Sequence, residues 1–247
     1  MILLKYCVAM AVSVFAATSF AAHHEQPAPM IAEIYACTLN DGYTTGDLVS
    51  FAREDFKAFA DKHQMAMNTF IWEAVAVTPP ADESDLRWVN YFPAWTDYFA
   101  GDKAWRAHGE KVAAGIFERV TCDKAITAAV HNAGAQPGSA DEKPLITMPC
   151  QLKEGKTIED ALKYRKGVNA IANELIDGSV GSAVFTPALG ASGVDYVAMV
   201  AGNTDDMAAM MDNVRTMKAM KALQEAGLDN PGDCATNLHK SYLVIQR

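Results

Sequence analysis

The alternation of apolar and polar residues predicts a set of short elements in the first half of the chain. Runs rich in β-branched and aromatic residues indicate four strands, at 31–39, 69–77, 86–92 and 125–130. Apolar residues at helical spacing indicate two helices, which begin at Thr44 and near Thr96. The predicted order of this half is therefore β-α-β-β-α-β.

The second half of the chain repeats that order. Strands are predicted at 146–152, 180–185, 194–201 and 241–246, and helices begin at Thr157 and Thr204. The stretch 133–144 between the halves is rich in Ala, Gly, Pro and Ser, which is typical of a linker. We therefore predict two ferredoxin-like repeats, 31–132 and 145–247, in an α+β fold.

A short motif supports an internal duplication. The pattern C-x-L-x-x-G-x-T-x-x-D begins at Cys37 and again at Cys150, an offset of 113 residues. Each shared residue has a structural role: the leucine is a core residue, the glycine forms a turn, and the threonine and aspartate begin a helix as a capping box. The motif thus indicates fold and not chemistry.

The N-terminus has the pattern of a secretory signal peptide. A lysine at position 5 precedes an apolar run and a small-residue exit, so we predict a signal at 1–21, with cleavage after Ala21 or, as the alternative, Ala22. Residues 22–30 form a polar lead-in. No later segment is apolar and long enough to span a bilayer, so we expect a soluble periplasmic or secreted protein.

Four cysteines remain after the signal, two in each repeat. The spacings are 85 residues from Cys37 to Cys122 and 84 from Cys150 to Cys234. The first and last strands of a ferredoxin-like unit are antiparallel neighbours, which brings the members of each pair together. We predict disulfides Cys37–Cys122 and Cys150–Cys234, because an exported protein meets an oxidising environment. Metal ligation is the alternative, but no C-x-x-C or Cys/His cluster supports it.

The predicted strands at 69–77 and 194–201 are apolar on both alternating sets of positions, which indicates that both sheet faces are buried. Two repeats that pack sheet to sheet would bury the second face. This combination resembles the dimeric α/β-barrel superfamily, here as a tandem fusion. Members of that superfamily include small monooxygenases, haem-handling proteins and stress-responsive proteins. The resemblance implies the fold, and no catalytic residue is transferred from it.

The two repeats differ in aromatic content, since all four tryptophans lie in the first. An aromatic and partly polar interior suits a small apolar or planar ligand, and the candidate residues are Trp72, Trp88, Asn90 and Tyr91. Repeat alignment makes Tyr196 the counterpart of Trp88. Three functions stay open: ligand binding, a cofactor-independent monooxygenase-like enzyme that uses these residues, and an interaction protein without a pocket, for which the aromatic residues are core.

No motif indicates a cofactor or a catalytic triad. Haem ligation by His63 or His108 is a less favoured hypothesis, as is copper binding by methionines of the last long helix, at Met207, Met210, Met211, Met217 and Met220. Packing explains those methionines better. The formal charge of −9 argues against a nucleic-acid partner.

Overall fold

The computed structural model describes residues 28–79, 83–134, 140–190 and 193–247. The predicted signal peptide therefore lies outside the described residues, as do most of the lead-in and the centre of the predicted linker. No helix within the described ranges is long and apolar enough to cross a membrane.

The first repeat contains five strands and an α-helical layer. In chain order its elements are β1 (Met30–Leu39), α1 (Thr45–Phe51), a π-helical segment (Ala52–Phe56), α2 (Lys57–Lys62), β2 (Asn68–Ala76), β3 (Leu86–Phe92), α3 (Trp95–His108), α4 (Glu110–Arg119), β4 (Val120–Cys122) and β5 (Ile126–Asn132).

The second repeat has the same order of strands. Its elements are β6 (Glu142–Leu152), α5 (Ile158–Ile176), β7 (Gly181–Leu189), β8 (Tyr196–Ala201), α6 (Thr204–Arg215), α7 (Lys218–Glu225), β9 (Gly232–Cys234) and β10 (Asn237–Ile245).

Eight of these strands form one closed antiparallel barrel. Within the first repeat the order is β5-β1-β3-β2, and within the second it is β7-β8-β6-β10, which is the ferredoxin-like order in both. The pairs β5–β7 and β10–β2 join the repeats and close the ring. The predicted pair of ferredoxin-like units is confirmed, and so is the burial of both sheet faces, because helices cover the outside of the barrel and side chains fill its interior.

Both predicted disulfides are present. The short strand β4 pairs with β1 and places Cys122 directly opposite Cys37, while β9 pairs with β6 and places Cys234 opposite Cys150. In the chain-entropy model each bridge, which closes a loop of about 85 residues, contributes ~4–5 kcal/mol.

The repeated motif has the predicted structural role. In both repeats its glycine has positive φ, +85° at Gly42 and +75° at Gly155, a conformation that favours glycine. Thr44 and Thr157 then cap the following helices, each in a capping box with the aspartate three residues later. The helix starts predicted at Thr44 and Thr157 are therefore confirmed.

Some boundaries differ from the sequence prediction. The helix predicted to run from Thr96 to Val120 is two helices, because the chain bends at Gly109, where a Cβ atom would lie 2.6 Å from the Trp105 carbonyl oxygen. β7 continues to Leu189 because its outer part pairs with β5 of the other repeat. β6 begins at Glu142, inside the stretch whose composition indicates a linker, because β10 pairs with it there.

The strand register also corrects one equivalence between the repeats. Tyr35 of β1 pairs with Trp88, and the matching position of β6, Met148, pairs with Ala198. The counterpart of Trp88 is therefore Ala198. Tyr196 instead pairs with Cys150 and corresponds to Leu86, because the loop before β8 differs in length from the loop before β3.

Candidate functional site

The four candidate residues lie on opposite faces of the sheet. Trp88 packs in the layer between the sheet and the helices of the first repeat, and Asn90, two residues later, faces the same way. Trp72 and Tyr91 pack in the interior of the barrel. The prediction of one interior that contains all four is therefore wrong, since side chains one residue apart on a strand point to opposite faces.

The barrel interior around Trp72 and Tyr91 is packed with aromatic rings. The Phe185 ring centroid lies 6.3 Å from that of Trp72 and 6.1 Å from that of Tyr91. Phe70 contacts Tyr91 edge to face at 5.7 Å. Burial raises the pKa of Tyr91, whose hydroxyl donates to the Met199 sulfur at 4.0 Å. These residues stabilise the barrel as its core.

A cavity of about 130 Å³ lies on the other face, between the first-repeat sheet and its helices. Seven aromatic side chains contribute to its wall: Tyr35, Phe56, Trp88, Phe92, Tyr98, Trp105 and Phe117. Two carboxylates, of Glu33 and Asp102, also line it. This cavity contains Trp88 and Asn90, but most of its wall was not among the predicted residues.

Helix α3 and the π-helical segment shape this cavity. Tyr98, Gly101, Asp102 and Trp105 of α3 follow helical spacing, so they share the face that lines it. Gly101 permits the close approach of α3, since a Cβ there would lie 3.3 Å from Met65 and Phe92 side-chain atoms. The π-helical segment supplies Phe56, whose ring meets Trp88 edge to face at 4.9 Å. Such π-helical turns are frequent at functional sites.

A hydrogen-bond network converges on Glu33. The Tyr35 hydroxyl donates to its Oε1 and the Asn90 side-chain amide to its Oε2, each at 3.0 Å. The Tyr98 side chain lines the same cavity and lies close enough to the carboxylate to influence its pKa. The Asn90 carbonyl oxygen accepts from Thr69 Oγ1 at 2.9 Å and from Trp88 Nε1 at 3.1 Å. Every partner of Glu33 in this network is neutral.

Burial raises the pKa of Glu33, although the hydrogen bonds from Asn90 and Tyr35 and the nearby Tyr98 side chain oppose that shift. Burial also raises the pKa of Tyr35 and of Tyr98, and the nearby Glu33 charge raises both further. The Glu33 side chain is half-buried because it opens onto the cavity. The site therefore presents a carboxylate that is poorly solvated, yet within reach of a bound molecule.

Sequence reasoning missed Glu33, and one signal could have found it. Glu33 is the only charged residue in β1, a strand predicted to be covered on both faces. A charge in such a strand must be buried among hydrogen-bond partners, and such charges often belong to functional sites. Tyr98, Trp105 and Phe56 had no comparable signal, because aromatic residues on helices are usually core.

The histidines do not reach the cavity. His63 and His108 stack on each other near the helix surface, with ring centroids 4.8 Å apart. His131 contacts Thr186 at 3.1 Å, and His239 is buried inside the barrel beside Thr147. None of these four lines the cavity of the first repeat.

The resemblance raised the question of haem, and the cavity does not fit it. A volume of about 130 Å³ is far too small for a porphyrin, and no histidine lines the wall to serve as an axial ligand. The only cysteine in the wall, Cys122, is bound in a disulfide. Of the methionines considered for copper, Met207 is buried, whereas Met211, Met217 and Met220 are exposed. Within the described residues, no group of three His, Cys, Asp or Glu side chains could hold a metal ion.

Comparisons with known proteins identify the fold. No protein-family model matches the sequence, and no curated protein matches it. A mutant chlorite dismutase from Candidatus Nitrospira defluvii aligns with a TM-score of 0.51 and 10% identity, over 87% of this chain and 92% of that chain. A putative monooxygenase from Lactobacillus acidophilus aligns with a TM-score of 0.53 and 11% identity, over 88% and 95% of the two chains. The fold is that of the dimeric α/β barrels, and at this identity the likeness extends to the fold alone.

Proposed function

We propose that the protein binds a small molecule, about the size of one aromatic ring, in the cavity of the first repeat. The observation on which this rests is the Glu33 carboxylate, which lies in an aromatic cavity and is surrounded only by neutral donors. An ionised carboxylate has about four acceptor positions, and Tyr35 and Asn90 use two. Acceptor positions therefore remain for a hydrogen-bond donor of the ligand.

The size of the cavity limits the ligand. An engineered protein cavity of ~150 Å³ lined by apolar side chains holds benzene. The cavity here, about 130 Å³ with aromatic walls, is similar. A single six-membered ring with one small polar substituent matches both the volume of the cavity and the Glu33 carboxylate in its wall.

Matched substitutions on the two sheet faces test this proposal. Trp88→Phe alters the cavity wall, whereas Trp72→Phe makes the same change inside the barrel. With benzyl alcohol as the probe, calorimetry should show a Kd roughly fivefold higher for Trp88→Phe, because the contact is worth ~1 kcal/mol. Trp72→Phe should bind as the unmodified protein does. Equal effects of the two changes, or failure of every single-ring probe to bind the unmodified protein, would contradict the proposal.

A second candidate function is oxidation of a bound phenol without a cofactor. It is favoured by the raised pKa of Glu33, which makes the carboxylate a stronger base beside the aromatic cavity. Glu33 would take the hydroxyl proton of phenol. Reaction with O₂ would place one oxygen atom on the ring and release the other as water, giving p-benzoquinone. Oxygen uptake in the presence of phenol would support this function if the uptake disappears in Glu33→Gln. Binding of phenol without oxygen uptake would contradict the oxidation and leave only the binding proposal.

Export is also a proposal. Two disulfides favour an oxidising compartment, and the N-terminal pattern is typical of a secretory signal. We expect a periplasmic or secreted mature chain. The intact mass of protein isolated from its own host should correspond to cleavage after Ala21 or Ala22, and a full-length mass would contradict export through this signal.

A further inference from the structure

We infer that the ligand of this cavity is a cation, a primary ammonium attached to a single ring. The inference rests on the proposed function and adds the charge of the ligand to it. Three features of the site support it: the orientation of the Asn90 amide, the missing counter-charge of Glu33, and the composition of the cavity wall.

The orientation of the Asn90 amide follows from its neighbours. An indole nitrogen can only donate a hydrogen bond, so the Asn90 atom 3.1 Å from Trp88 Nε1 must be the carbonyl oxygen. The amide nitrogen of Asn90 therefore faces Glu33 and donates to its Oε2 at 3.0 Å. Since the Tyr35 hydroxyl donates to Oε1, both oxygens of Glu33 accept, which is the arrangement of an ionised carboxylate.

This carboxylate has no ion-pair partner in the part of the chain that the structure describes. The ion pairs found there involve other acids, all of them exposed or near the surface. Charges removed from water are usually paired with an opposite charge. A bound cation would supply the missing counter-charge of Glu33.

The wall of the cavity has the composition of a cation site. It includes a second carboxylate, Asp102, and no lysine, arginine or histidine. Arg106 pairs with Asp102 at 2.9 Å, but the Arg106 side chain is 78% exposed, so water screens its charge from the interior. The aromatic faces of Trp88, Tyr98 and Trp105 attract cations through their quadrupoles. An ammonium group has three donors, which match the Glu33 carboxylate and the Tyr35 and Tyr98 hydroxyl oxygens.

Three probes of similar size separate the charge from the ring: benzylamine, benzyl alcohol and toluene. Calorimetry at pH 7 should show that the unmodified protein binds benzylamine at least tenfold more tightly than benzyl alcohol. Glu33→Gln keeps the shape of the side chain and removes its charge, so it should abolish the preference for benzylamine over benzyl alcohol.

Glu73→Gln is the matched control. Glu73 is a β2 carboxylate that accepts from Thr45 and Tyr242, but it does not line the cavity. The preference for benzylamine should survive in Glu73→Gln. Benzyl alcohol that binds as tightly as benzylamine would overturn the cation inference and leave the proposed function standing. A preference that persists in Glu33→Gln, or is lost in Glu73→Gln, would overturn the role of Glu33. Failure of all three probes to bind would overturn the proposed function, and the inference with it.

Discussion

The sheet–helix layers of the two repeats have the same topology and opposite distributions of polar groups. In the first repeat the sheet supplies Glu33 and Asn90, which pair across β1 and β3. The matching pair in the second repeat is Ile146 and Val200. Trp88 and Tyr35 likewise correspond to Ala198 and Met148. At these positions the second sheet thus has apolar side chains without aromatic rings, whereas the first sheet has polar and aromatic side chains.

The helices compensate for this difference. The residues eight and twelve positions after the cap Thr44 are Ala52 and Phe56. The residues eight and twelve positions after the cap Thr157 of α5 are Arg165 and Asn169. Arg165 Nε donates to Ser182 Oγ at 2.9 Å and Asn169 Nδ2 to the Val180 carbonyl at 2.9 Å. Burial lowers the pKa of Arg165 to about 10. The second repeat thus has buried polar side chains on α5, at positions where the first repeat has Ala52 and Phe56.

The comparison teaches that one backbone topology can carry its buried polar groups either on the sheet or on the helix that covers the sheet. In the first repeat the aromatic rings line the wall of a cavity that lies between the sheet and the helices. In the second, flexible side chains extend across the layer toward the sheet. Four predictions test this contrast, from the largest expected effect to the smallest.

The two disulfides should stabilise equally but differ in their effect on binding. Replacing Cys37 and Cys122 by alanine, or Cys150 and Cys234 by alanine, should each lower the free energy of unfolding by ~4–5 kcal/mol. Cys122 lines the cavity, so only the first double substitution should also weaken benzyl alcohol binding. Urea unfolding and calorimetry on folded protein measure the two effects. Equal losses of binding would mean that the repeats are more tightly coupled than their separate layers suggest.

The barrel interior, which both repeats share, should be the acid-sensitive part. Burial, with a smaller effect of Arg87, lowers the pKa of His239 to about 4 from its ordinary value of 6.5. The folded protein therefore binds fewer protons than the unfolded chain between these values, and stability should fall as pH drops from about 6.5, by up to ~3 kcal/mol near pH 4. His239→Gln should remove this part of the acid sensitivity. If the free energy of unfolding depends on pH in the same way in that variant, other groups cause the acid sensitivity.

Giving the first sheet the residues of the second should remove binding at a smaller cost in stability than Asn90→Val alone. Glu33→Ile with Asn90→Val introduces the second-repeat pair and leaves no carboxylate without its partner, although Trp88, Thr69 and Tyr35 lose an acceptor. We expect a smaller loss in the free energy of unfolding than in the single variant and at least tenfold weaker benzylamine binding. Asn90→Val alone should cost ~1–3 kcal/mol, because Glu33, Trp88 and Thr69 each lose a partner. A double variant less stable than this single one would contradict the proposed compensation.

The helix caps should show the smallest effect and no contrast between the repeats. Thr44→Ala and Thr157→Ala each remove one side of a capping box and should lower stability by ~1 kcal/mol. Binding of benzyl alcohol should be unchanged in both once the protein is folded. Loss of binding in a stable Thr44→Ala variant would show that the repeated motif belongs to the site.

The sequence could predict the fold because its signals are local or involve fixed spacings. Turn glycines, caps and strand periodicity each depend on neighbouring residues, and the paired cysteine spacings then agreed with one strand order. The helix break at Gly109 and the extension of β7 to Leu189 were missed, since they depend on packing against Trp105 and on pairing with the other repeat.

The site was less accessible to sequence reasoning for a physical reason. Alternation alone implies that Trp88 and Asn90 share one face and that Tyr91 lies on the other. When both faces of a sheet are buried, however, nothing local tells which face borders a space. The space depends on how α3 and the π-helical segment pack over Glu33, which is a property of side-chain shapes brought together from distant parts of the chain. The sequence by itself determined the two repeats, their strand order and their disulfides. The tertiary structure decided that the first repeat has a cavity with the Glu33 carboxylate in its wall and that Arg165 and Asn169 are buried in the second.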